Sequence, residues 1–128
     1  MASKRWNIFA RELEDILAAH GFRLTHLDDR ANIYSRKVSR LRASLNNPKS
    51  FPVLNTEEME SVAVAFSLSE DEMLRLHAAM LTAAAEEALM DRIDHETALL
   101  AAEEIFLVLV NAMRAHGKHR FGFISKGQ

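Results

Sequence analysis

Gly21-Phe22-Arg23-Leu24-Thr25-His26-Leu27-Asp28-Asp29-Arg30-Ala31-Asn32-Ile33-Tyr34-Ser35-Arg36-Lys37-Val38-Ser39-Arg40-Leu41-Arg42 is the stretch that decides how this chain is read. It predicts two short helices around a tight turn. The first spans about Leu24 to Ala31. Asn32 tolerates positive φ and marks the turn. The second runs from Ser35 to Ser44. At about one hundred degrees per residue, Tyr34, Val38, Leu41 and Leu45 fall within roughly a sixty-degree arc, which is the expected buried side. Arg36, Arg40, Ser39 and Ala43 project the other way. From Arg30 to Thr56 there is no acidic residue, yet there are six cations: Arg30, Arg36, Lys37, Arg40, Arg42 and Lys49. Positive charge gathered on one helix face is suited to a polyanion, DNA phosphate above all.

The flanks of this stretch are also helical in pattern. A first helix from about Asn7 to His20 carries Phe9, Leu13, Ile16 and Leu17 on one face, and Gly21 is its expected stop. Asn46-Asn47-Pro48 and Phe51-Pro52 form the one clear loop, since residues before proline are pushed out of the helical region. A fourth helix starts near Thr56, read as its cap, and buries Met59, Val62, Ala63 and Phe66. Ser69-Glu70-Asp71-Glu72 is a capping box. It opens a fifth helix with Met73, Leu76, Met80, Leu81 and Leu89 on its apolar side. A break is expected near Asp94, then a sixth helix from about Glu96 to Ala115. The centre of that helix, Ile105-Phe106-Leu107-Val108-Leu109-Val110, is apolar all round. Periodicity alone does not tell such a run from a strand, and the helix-forming flanks decide for helix. The segment Gly117 to Gln128 is basic, with Phe121, Phe123 and Ile124 as its docking candidates.

Composition narrows the function classes. The chain has 128 residues, a formal net charge of −2 and no cysteine, which excludes disulfides, thiolate catalysis and zinc fingers. Residues 1–50 hold ten Lys/Arg against five Asp/Glu, and residues 51–116 hold three against thirteen. Residues 117–128 add three more cations. A basic part and an acidic part imply two different surfaces. Met1 to Asn7 leads directly into an amphipathic pattern, with no signal peptide or membrane-length apolar run. The expectation is a cytoplasmic protein without membrane contact.

No catalytic arrangement is readable. Asp28/Asp29 and Glu103/Glu104 are adjacent pairs, which point in different directions on a helix. Asp91 with His95, and His116 with His119, have helical spacing but belong to no four-ligand pattern. A non-enzyme without metal or cofactor is expected.

The quoted stretch resembles, without a gap, the helix-turn-helix of the phage-repressor-like (Cro/XRE) regulators. Phe22, Leu27, Ala31, Ile33, Val38 and Leu41 fill that family's apolar positions, and Asn32 stands at its turn glycine. Ala65-Phe66-Ser67-Leu68-Ser69-Glu70-Asp71-Glu72-Met73-Leu74 is similar to the segment joining its fourth and fifth helices. The resemblance covers about residues 7–78. Three features depart from the family. Leu24 replaces a Gln that binds phosphate, and Asp28 replaces a small residue at the helix crossing. The loop from Pro48 to Asn55 is longer than usual.

The resemblance implies an all-α fold: a five-helix repressor-like domain (1–78) with an added C-terminal helix in a dimerisation extension (79–128). It implies a sequence-specific regulator of transcription, with repression as the default mode. Helix 35–44 would lie in the major groove of double-stranded DNA, where Ser35, Arg36, Ser39 and Arg40 would read base edges. Arg23, Lys37, Arg42, Asn46, Asn47 and Lys49 would hold phosphates. Leu100, Ile105, Phe106, Leu109, Val110 and Met113 are the expected homodimer interface. The alternative is a protein-interaction module on the same scaffold, an antitoxin or assembly adaptor, with its protein partner on the acidic C-terminal half and DNA binding reduced or lost.

Overall fold

The computed structural model describes residues 5–116, which form six helices and no strand. They are α1 (Ile8–Ala19), α2 (His26–Ala31), α3 (Ser35–Ser44), α4 (Thr56–Phe66), α5 (Glu70–Met90) and α6 (His95–Ala115). None of them is long and apolar enough to cross a membrane. The segment 117–128, with its docking candidates Phe121, Phe123 and Ile124, lies outside the described residues.

Most helix ends obey local rules. Gly21 sits at φ +84° and closes α1, with its N–H bonded to the Ala18 carbonyl and that of Phe22 bonded to Leu17. Asn32 adopts the left-handed conformation, φ 57° and ψ 33°, and ends α2. α2 is shorter than its pattern implied, because Leu24 and Thr25 are taken up in a turn ahead of it. The cap of α4 is Asn55 rather than Thr56. The Asn55 side chain accepts from the Glu58 N–H, and the Glu58 carboxylate accepts from that of Asn55. Ser69 and Glu72 form the same reciprocal pair at α5. Asp94 accepts from Thr97 N–H at 3.0 Å and starts α6.

The start of α1 is capped from far away. Asn7 has φ 52° and makes no side-chain cap there. Instead the wholly buried carboxylate of Glu86, on α5, accepts from the N–H groups of Asn7 at 3.0 Å and Ile8 at 2.7 Å. A carboxylate complements the positive end of the helix dipole. The Asn7 amide donates to Ser44 Oγ and to the Pro52 carbonyl, so one buried residue joins α1, α3 and the proline loop.

One apolar core unites all six helices, with Phe9 and Leu13 from α1, Leu27 from α2, Leu41 from α3, Met59 from α4, Leu76 from α5 and Phe106 from α6. α5 and α6 pair as an antiparallel hairpin, and α1 lies on α5. The Asp71–Arg114 pair joins the far ends of that hairpin, at 2.7 and 2.8 Å. Arg11 reaches Glu103 at 2.6 Å, tying α1 to α6. The expected boundary between residues 78 and 79 therefore falls inside α5, and α6 belongs to the same core as the first part of the chain.

Candidate nucleic-acid interface

α3 buries Val38, Leu41 and Ser44 and leaves the opposite side to solvent. Ser35, Arg36, Ser39 and Arg40 are all exposed. Arg36 and Arg40 stand one turn apart, and among the described residues neither guanidinium has an ion pair or hydrogen bond. Ser39 and Ala43, exposed beside them on the same side of the helix, are small and uncharged. Tyr34 does not join the buried arc and is 66% exposed. It precedes the helix, at φ −52° and ψ 129°, so the helical angle that grouped it with Val38 does not apply to it.

Three of the six expected phosphate ligands converge. Arg23, Arg42 and Asn46 line one open cavity of about 560 Å³ with Thr25, Leu24 and Leu45. Its other side carries Glu14 and Asp15, both held by Arg5 at 2.8 Å. The Arg23 and Arg42 side chains have no anionic partner among the described residues. Leu24 is buried under this cavity at 3% exposure. Asp28 is exposed rather than packed at the helix crossing, so it needs no internal partner.

Lys37 is a correction. Its ammonium is held by both Glu58 oxygens, at 2.9 and 3.1 Å. It lies on the flank of α3 turned toward α4, not on the Arg36–Arg40 side, and its charge is already neutralised. Asn47 uses its side-chain oxygen to accept from the Lys49 N–H at 2.9 Å, bracing the loop. Lys49 lines a separate cavity with Glu87, Asp91 and His95, apart from the Arg23–Arg42 group. Arg30, which sequence reasoning assigned no role, stacks its guanidinium 4.5 Å from the Phe22 ring centre. Its place in the acid-free run was the available signal. Thr25 was also missed, because nothing local sets it beside Arg42.

The expected dimer face divides in two. Phe106 and Val110 are 3% and 1% exposed and complete the core, so they are unavailable to a second chain. Leu109 and Met113 are half-buried against the same core. Leu100 and Ile105 are exposed, as are Leu107 and Val108, which were not in the expected set. Phe106 and Val110 turn inward because they follow Ala98, Leu99 and Ala102 at helical spacing on the side facing α5.

Among the described residues no group of three or more His, Asp or Glu side chains is arranged to hold a metal ion. No protein-family model, curated protein or solved structure matches this chain.

Proposed function

We propose that this chain is a sequence-specific double-stranded DNA-binding protein, a helix-turn-helix regulator of transcription acting as a pair of copies. One observation carries the reading: Arg36 and Arg40 stand one turn apart on the solvent side of α3 without any anionic partner among the described residues. Protein surfaces usually mix both signs of charge, and a long acid-free run that keeps its guanidiniums unpaired needs an external anion to explain it. α3 is a single helix of ten residues, a size the major groove admits. Arg36 and Arg40 would then donate to guanine O6 and N7, the commonest specific contact in that groove. Arg23, Arg42 and Asn46 would grip backbone phosphate beside it and fix the register. Repression by occupying a promoter is the mode that follows.

Selection of bound sequences from random duplex DNA tests this. The expected result is a guanine-containing motif with two-fold symmetry, bound with an affinity that falls steeply with salt. Recovery of no enriched sequence, with salt-insensitive or absent binding, would reject it.

A protein-interaction module on the same scaffold is the second reading, and the apolar side chains left exposed on α6 favour it. A salt-insensitive complex with another protein, and no affinity for duplex DNA, is its signature.

A further inference from the structure

α6 is apolar on two opposite faces. Ala98, Leu99, Ala102, Phe106 and Val110 face the core. Leu100, Leu107 and Val108 face solvent and are 59%, 54% and 66% exposed. From Leu100 to Ala115 only two polar residues, Glu104 and Asn111, interrupt the centre of that outer face. The neighbouring charges turn away from it: Glu103 is held by Arg11, and Arg114 by Asp71. A helix whose only partner is the core behind it normally presents charge to water, and one that is apolar all round is normally covered on all sides. Ile105, on the flank of α6, extends the patch. Leu81 of α5 is also exposed, at 54%. The Arg114–Asp71 pair sets the antiparallel register of the hairpin and brings Leu81 level with the middle of α6.

We infer that this outer face of α6 packs against the same face of a second copy, antiparallel, about a two-fold axis between Leu107 and Val108. The polar residues select this arrangement. In a parallel pair each Glu104 would meet the partner's Glu104, two like charges inside an apolar seam. With the axis between Leu107 and Val108, each Glu104 meets the partner's Asn111, whose amide can donate to the carboxylate. The same axis sets Leu107 against the partner's Val108 and Leu100 against the partner's Ala115. The seam therefore complements itself, as a two-fold interface must. A stable interface takes about 800 Å² from each partner. A 21-residue helix is only about 30 Å long, so the flank of Leu81 and Ile105 is part of the contact and the two hairpins form a four-helix arrangement. This deepens the pairing proposed above but does not depend on what α3 binds.

Sedimentation equilibrium without DNA is the first test. The parent chain should show twice its 14.5 kDa mass. Leu107→Glu with Val108→Glu should weaken association by about 100-fold or more, with the helical circular dichroism kept, because both side chains are exposed in the single chain. The chain has no cysteine, so introduced thiols report the register cleanly. Glu104→Cys mixed with Asn111→Cys should form the mixed disulfide. Glu104→Cys alone should not cross-link, since seven residues of offset separate those thiols by about 10 Å. A single-chain mass at all concentrations overturns the pairing. A dimer indifferent to the Leu107/Val108 change overturns the surface, and efficient cross-linking of Glu104→Cys alone overturns the register. In each case duplex binding by α3, measured separately, remains a live reading. Loss of that reading with the dimer intact is the converse result.

Discussion

Arg36 and Lys37 are neighbours in sequence with opposite fates. Lys37 turns toward α4 and meets Glu58, while Arg36 turns to solvent and meets nothing among the described residues. Their substitution should separate the two. Arg36→Ala or Arg40→Ala should cost about 1–3 kcal/mol of DNA binding and relax base preference at one position. Arg42→Ala should weaken all sequences alike and reduce the salt slope by about 1. Lys37→Ala should leave that slope unchanged, since its ammonium already has a carboxylate. Binding isotherms on selected and scrambled duplexes, at several salt concentrations, read all three. A uniform loss for Arg36→Ala across sequences would remove it from base reading.

Glu86 makes a different prediction at the same scale. Burial pushes its carboxyl above the ordinary range, against the opposing pull of the Ile8 and Asn7 N–H groups and of nearby Arg11. Glu103 adds to the rise. Its folded-state value thus lies above its unfolded one, so the native chain holds the proton more tightly. The stability from this proton is present below the unfolded value and is lost as pH rises through the folded one. Glu86→Gln does not titrate and should flatten that part of the stability curve, measured as the urea midpoint against pH. Where the parent carboxyl is ionised, Gln instead leaves one of the two buried N–H donors without its acceptor, which works against the gain from removing a buried charge. An unchanged pH slope in Glu86→Gln would remove Glu86 as the source.

At the scale of elements, what was legible was what is local. Gly21, Asn32, Ser69 and Asp94 mark helix ends through their own conformation or a bond three residues away, and each stands at a helix end in the structure. Ser35–Ser44 is the helix its apolar spacing described. The cap of α1 was not readable, since Glu86 lies 79 residues from Asn7 in the chain and no pattern links them. Nor was the inward face of α6. With apolar residues on both sides, periodicity offered no preference between Phe106 and Val108, and only packing on α5 decides. The candidate site was legible in part for the same reason. The solvent side of α3 follows from one helix, but the meeting of Arg23 with Arg42 and the loss of Lys37 to Glu58 are tertiary. Gly21→Ala is the element-level test. At φ +84° a side chain is strained even though no atom lies within 4 Å of the added Cβ. A loss of about 1 kcal/mol is expected from thermal melts, without loss of contacts. A stabilised variant would remove the left-handed stop as the reason for the glycine.

For the whole molecule the question is whether the basic part and the acidic part are separable. Charge divides them near residue 50, and resemblance divides them near residue 78, yet the core ignores both boundaries. Phe106 lies against the Arg75 guanidinium at 5.2 Å, and Arg75 in turn holds Glu12 of α1 at 2.7 Å. α6 is therefore fixed to α1 by Arg11–Glu103 and, through Arg75, by a second route. A chain built so should unfold as one cooperative unit. Phe106→Ala should cost about 3–5 kcal/mol, as for other large aromatic truncations in a core. The loss should appear equally in the far-ultraviolet signal of all helices and in the fluorescence of Trp6, the only tryptophan. It should also lower duplex affinity at temperatures near the melt, although Phe106 is remote from α3, because the fold that presents Arg36 is lost with it. Two resolved transitions in calorimetry, with only the second moved by Phe106→Ala, would instead show that residues 1–78 stand on their own and that α6 merely rests on them.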